Sequence, residues 1–235
     1  MRQTKLILFD IDGTLTRSYN GYIPFNEAIL KTFGIPGDIR TVVPDGNTDP
    51  LIVEEIFAAA HLEVEITEEK WRSFEGNLKQ SYSLAIQEGR AAVRPLPGIP
   101  ELVRALAAIE ESRQGIGIVT GNLEVMARVK LETAGLSTYL SLGAYGSDSR
   151  DRTDLPAIAK KRWEKKVGSF IAPDHCLIVG DTPKDLEAAR KNHMKCLLVG
   201  TGRYPLEELE FFRPDACLPD FTETKQVVET MLKLV

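Results

Sequence analysis

Asp10 and Asp12 are two carboxylates one residue apart at the end of the apolar run Ile7-Leu8-Phe9, and Gly13-Thr14 turns the chain directly after them. On an extended backbone alternate side chains leave the same face, so both carboxylates address one reactant. Such a pair suits a nucleophile beside a proton carrier. A short apolar run bounded by a turn reads as a buried parallel strand, and open α/β sheets place ligands at the carboxyl ends of their strands. Two further runs end in the same manner. Ile116 to Val119 stops at Thr120-Gly121-Asn122, and Leu177 to Gly180 stops at Asp181-Thr182-Pro183-Lys184-Asp185. A calcium loop would need more acids at alternating positions and a distal glutamate, and these are missing.

Taken together and in this order, the three strand ends resemble the motifs of the haloacid dehalogenase superfamily: Asp-x-Asp-Gly-Thr, a hydroxyl-bearing strand end, and Gly-Asp-(Ser/Thr)-x-x-Asp. The resemblance spans the chain and points to the phosphoglycolate phosphatase branch with a helical cap. It implies a Mg2+-dependent phosphatase acting on a small phosphorylated metabolite. Asp10 would attack phosphorus to give an aspartyl phosphate, and Asp12 would carry protons with a pKa raised toward the working pH. Mg2+ would sit on the side chains of Asp10 and Asp181 and the backbone carbonyl of Asp12, with Asp185 behind them as an orienting acid. Thr120, Gly121 and Asn122 would hold the phosphoryl oxygens. The family's remaining motif is a lysine at a helix start. Ser149-Arg150-Asp151-Arg152-Thr153-Asp154 occupies that place, so Arg152 takes the role, with Lys160, Lys161 and Lys184 as alternatives.

Arg17, Tyr19, Asn20 and Tyr22, and the stretch Asp45 to Asp49 with Asn47, are expected to reach the substrate. The same core could return the phosphoryl group to a sugar, as a β-phosphoglucomutase-like mutase does. A phosphonate hydrolase would use a lid lysine, for which Lys31, Lys70 and Lys79 are candidates. A non-catalytic phosphate-binding protein is the reading from a different class, and the intact Asp10 and Asp12 pair speaks against it.

Bringing three strand ends to one edge requires a doubly wound parallel sheet, whose crossovers are right-handed. The expected fold is α/β, with a Rossmann-like core of residues 1–16 and 95–235 and an all-helical cap of residues 17–94. Pro24 opens a helix carrying Phe25, Ile29 and Phe33, stopped by Gly34. Asp49-Pro50 starts a second, through Ala60, with Ile52, Ile56 and Ala59 inward, and Thr67-Glu68-Glu69 starts a third, with Trp71, Phe74, Leu78, Tyr82 and Ala85 at helical spacing up to Gly89. Pro95-Leu96-Pro97-Gly98 reads as a hinge. Beyond it helices at 99–110, 155–167 and 186–191 alternate with strands at 116, 142–145, 176–179 and 195–199. Asn122 is expected to cap one more helix that turns Val125, Val129 and Ala134 inward.

The 235 residues carry a formal net charge of −5 with 43% hydrophobic and 27% charged residues. That balance argues against nucleic acid as the main partner. No run approaches the ~20 apolar residues of a membrane span, and no secretory signal is evident, so a cytoplasmic monomer or homodimer is expected. Cys176, Cys196 and Cys217 lack metal-like spacing and read as free thiols.

Overall fold

The computed structural model describes residues 4–109 and 114–235. Its main sheet is built from strands whose two faces are both apolar. In β1 (Lys5–Phe9) the side chains of Ile7 and Phe9 enter one core while Leu6 and Leu8 enter the other, the period of two that a doubly covered strand requires. The same alternation runs through β4 (Gln114–Val119), β6 (Cys176–Gly180) and β7 (Lys195–Val199). With β5 (Gly143–Ala144) and β8 (Ala216–Leu218) they form a six-stranded sheet in the order β5-β4-β1-β6-β7-β8, parallel throughout. The first strand is central and flanked by the strands leading to Thr120 and Asp181, as the resemblance implied.

Helices α4 (Ile99–Ala107), α5 (Glu124–Thr133) and α9 (Thr224–Leu234) cover one face through Leu102, Leu106, Leu131, Val227 and Met231. The opposite face packs against α6 (Leu155–Val167), α7 (Pro183–Lys191) and α8 (Leu206–Phe211) through Ala159, Trp163, Leu186 and Leu209. The expected end of the first of these helices, at Glu110, lies outside the described residues. Cys176, Cys196 and Cys217 are free, the first two buried. Among the described residues no helix is long and apolar enough to cross a membrane.

Between β1 and β4 the chain forms α1 (Tyr22–Phe33), ended by Gly34 at φ 73°, α2 (Asp49–Ala59) and α3 (Glu68–Gln87), whose Lys70 amide donates to Thr67 Oγ1 at 3.3 Å. Phe25, Ile29, Ile56, Phe74 and Leu78 make a third core, with Phe25 and Phe74 edge to face at 5.7 Å. Leu123, Met126 and Val129 complete that core from the α5 side. The inserted helices are therefore packed on the edge where the strands end. Ala59 is exposed, and Val53 and Phe57 take the inward places on α2.

The insertion is not all helical. β2 (Thr16–Tyr19) and β3 (Ala92–Pro95) pair antiparallel, from Thr16 with Pro95 to Tyr19 with Ala92, and carry the chain out of the core and back. Legs of four residues are too short to show an alternation, so the sequence reads only turn signals there. Gly98 follows at φ 82°, where a Cβ would come within 2.0 Å of the Phe221 carbonyl oxygen; only glycine fits.

Candidate active site

β1 places Asp10 at the open edge, and the Asp10 amide extends the ladder by donating to the Val179 carbonyl at 2.9 Å. Arg152 opens a short 3-10 turn before α6, held by Asp151, which accepts from the Thr153 amide at 2.8 Å. Its Nη2 lies 3.0 Å from Asp10 Oδ1 and donates to Asp185 Oδ1 at 2.5 Å, all three groups buried. Lys160 instead bonds Glu164 and the Ile171 carbonyl, Lys184 bonds Asn47, and Lys161 is exposed. The guanidinium is thus the cation beside Asp10.

Asp181 Oδ1 accepts from Thr14 Oγ1 at 3.0 Å, and Asp185 Oδ2 accepts from the amide and hydroxyl of Thr182 at 3.1 and 2.8 Å. One oxygen from each of Asp10, Asp181 and Asp185 falls within 4.8 Å of the others. Asp185 has both oxygens engaged, while Asp10 Oδ2 and Asp181 Oδ2 have no hydrogen-bond or ion-pair partner among the described residues. Burial raises Asp10 to about 6, opposed by Arg152 and reinforced by Asp185 and Asp12. Asp181 rises well above the carboxylate range, again through burial first and then through Asp10 and Asp185. Three clustered acids against one guanidinium, with two oxygens uncommitted, fit a hard divalent cation.

Asp12 differs from expectation. Its Oδ2 accepts from Lys130 Nζ at 2.6 Å and Asn122 Nδ2 at 2.8 Å, and its Oδ1 accepts from Ser18 Oγ at 3.2 Å. Burial pushes this carboxyl up, but Lys130, Asn122 and Ser18 outweigh it and leave the pKa lowered rather than raised. Asn122 spends its side chain here, also donating to Thr120 Oγ1 at 2.9 Å, so Leu123 rather than Asn122 precedes α5 as its cap.

The first turn of α2 reaches the same strand end. The Asp49 amide donates to the Gly121 carbonyl and the Leu123 amide to Asp49 Oδ2, each at 2.8 Å. Burial holds Asp49 up at about 6 against the pull of Lys130 and the Leu123 amide. Arg150 with Glu54, and Arg203 with Asp45 at 3.1 Å, tie the inserted helices down around a cavity of about 640 Å³. Asp10, Asp12, Thr120, Gly121, Asn122, Arg152 and Asp181 line it, with Arg17, Tyr22, Arg40, Asn47, Asp49 and Tyr82. Arg17 donates to the Thr201 carbonyl at 2.6 Å. Asn47 is engaged by Lys184, the Val43 carbonyl and Glu55. Tyr19 and Asn20 do not line the cavity. Tyr19 alternates to the exposed face of the ribbon, opposite Ser18, whose hydroxyl meets Asp12, and Asn20, also exposed, bonds the Arg90 carbonyl.

A model of the haloacid dehalogenase-like hydrolases matches residues 4–193. The chain belongs to that family. It is 25% identical to a phosphoglycolate phosphatase of Photorhabdus laumondii, covering 95% of this chain and 92% of the relative. It is equally 25% identical to a 5'-nucleotidase of Pseudomonas aeruginosa, covering 95% of both. The crystal structure of a hydrolase from Pseudomonas syringae superimposes with a TM-score of 0.68 at 24% identity, over 97% of this chain and 98% of that one. With these relatives this haloacid dehalogenase-like hydrolase is an enzyme of the phosphatase type.

Lys130 and Ser18 join the site with no motif of their own, whereas Thr14 closes the first motif and Asp49 ends the stretch expected to reach the substrate. Lys130 does leave a trace in the sequence: it is a cation inside the run Met126, Ala127, Val129, Leu131, on the side of α5 that must be buried.

Proposed function

We propose that this hydrolase cleaves a small phosphomonoester in two displacements, with Asp10 as nucleophile. The observation that carries the reading is the buried Asp10 carboxylate at the central strand end, paired with Arg152 and facing the cavity. Asp10 Oδ2 attacks phosphorus while Arg152 neutralises the charge that gathers on the phosphoryl oxygens. The Thr120 hydroxyl and the turn Gly121-Asn122 position those oxygens. Asp12 gives its proton to the departing alcohol and takes one from the water that cleaves the aspartyl phosphate. An incoming phosphate dianion raises the proton affinity of nearby carboxylates, which offsets the depression that Lys130 imposes on Asp12. Mg2+, held by Asp181 Oδ2, the Asp12 carbonyl and the Asp10 oxygen that does not attack, would supply positive charge to the phosphoryl group. Asp185 orients Arg152.

Residues 17–94 act as a lid that turns on the β2/β3 ribbon, admitting substrate and excluding water. None of Lys31, Lys70 and Lys79 lines the cavity, which weighs against a phosphonate hydrolase. The buried free thiols suit a reducing cytoplasm. The names of the relatives make phosphoglycolate and nucleoside 5'-monophosphates the first substrates to try.

Mg2+-dependent phosphate release over a panel of such esters tests the reading, with Asp10→Asn alongside. Release that falls by roughly 10³-fold or more in the variant is expected. A folded wild type silent across the panel, or an Asp10→Asn that keeps turnover, overturns it. Isomerised sugar phosphate without free phosphate would establish the mutase instead.

A further inference from the structure

Lys130 is a buried ammonium on the inward side of α5, and its one ion pair among the described residues is with Asp12. Burying a lysine is expensive even when paired, and an apolar residue in its place would ordinarily serve α5 at least as well. Its contacts are specific. Nζ donates to Asp12 Oδ2 at 2.6 Å and to Asn122 Oδ1 at 2.7 Å, and Asn122 Nδ2 donates to the same Asp12 oxygen at 2.8 Å. The three groups close a ring from three segments of the chain. Two N–H donors occupy Oδ2, so a proton cannot reside there without displacing one of them. Among the described residues Oδ1 meets only the Ser18 hydroxyl, at 3.2 Å, and the Asp12 side chain is 41% exposed to the cavity.

We infer that Lys130 is a positioning residue that, with Asn122, fixes the Asp12 carboxylate so that Oδ1 is the oxygen presented to the ester. The inference rests on the proton-carrying role of Asp12 proposed above. The proton leaves Oδ1 for the alcohol oxygen as its bond to phosphorus breaks, and Oδ1 recovers a proton from the water that attacks the aspartyl phosphate. Lys130 itself gives up no proton and touches no substrate.

The test compares kcat/KM on two esters: the alkyl phosphomonoester hydrolysed fastest by the wild type, and p-nitrophenyl phosphate, whose leaving phenolate needs no proton. Lys130→Met is expected to lose about 10- to 100-fold on the alkyl ester and less than about 3-fold on the aryl ester, the size expected when a general acid is disoriented. Asp12→Asn should show the same split more strongly, and the double variant should be no worse than Asp12→Asn alone. A fraction of unfolded protein lowers both esters equally and cancels in the ratio. Lys130→Gln, which keeps an N–H donor, serves if the methionine variant is insoluble, and should show a smaller split. If Asp12→Asn splits the esters and the Lys130 variants do not, or if they raise KM on both with the ratio unchanged, the inference falls while the role of Asp12 stands. If Asp12→Asn shows no split, the reading of Asp12 fails and this inference with it.

Discussion

Arg152 stands where the family resemblance expects a lysine. A single guanidinium nitrogen reaches Asp10 at 3.0 Å and Asp185 at 2.5 Å, and the planar group is held by burial on all sides. Removing it leaves three buried carboxylates with no counter-charge among the described residues. Arg152→Met should therefore cost about 3–5 kcal/mol of stability, read by urea unfolding in the absence of divalent cations. An unchanged midpoint would show that the acids relax without their cation. Mg2+ should restore part of the loss, because a ligand bound only by the folded state stabilises it. Asp181→Asn supplies the matching control. If Asp10 and Asp181 hold the metal, millimolar Mg2+ raises the melting temperature of the wild type and leaves that of Asp181→Asn where it was.

At the scale of elements, the first turn of α2 sits on the turn after β4 with no clearance. A Cβ on Gly121 would lie 2.0 Å from the Asn47 carbonyl oxygen, so Gly121→Ala is expected to push the start of α2 off the strand end. That variant should keep the sheet, as judged by circular dichroism, yet lose at least about 10-fold in kcat/KM through misplacement of the site, and limited proteolysis should cut it faster within residues 38–48. Equal cutting of both proteins would mean that the loop yields instead.

What could be seen in advance follows from element length and burial. Strands covered on both faces show up as uninterrupted apolar runs, and this made Asp10, Thr120 and Asp181 visible as strand ends. α6, with Gly168 at its end, was legible to the residue. The ribbon was not, because each leg has four residues. α5 misled differently: Val125, Val129 and Ala134 fit a helical stripe, but the buried side also holds Met126, Ala127, Lys130 and Leu131. A period read from hydrophobicity alone discards the one charged residue on that side, which is the partner of Asp12.

For the molecule as a whole, the packing of α2 on the turn after β4 buries a titratable group, Asp49. Burial raises it from the usual 3.8 to about 6. A carboxyl whose pKa is higher in the folded state contributes stability below pH 3.8 and loses it as pH climbs through 6. Asp49→Asn keeps an acceptor for the Leu123 amide and removes the titration. The stability of wild type relative to this variant should decline by up to roughly 3 kcal/mol between pH 4 and pH 7, at about 1.4 kcal/mol per pKa unit. A flat difference across that range would show that Asp49 is not buried against the turn after β4 in solution.

The β2/β3 ribbon also shortens the search by which the sheet finds its register. Lys5 pairs with Gln114, so β1 must find its neighbour β4 across more than a hundred intervening residues. Joining Thr16 to Pro95 first removes most of that span, leaving two short legs to bring together. Closing distant contacts is what makes parallel sheets slow to form. Gathering the inserted helices first is thus the entropically less costly route to the register of the sheet, and substitutions that loosen Phe25, Phe74 or Leu78 should slow folding of the whole chain.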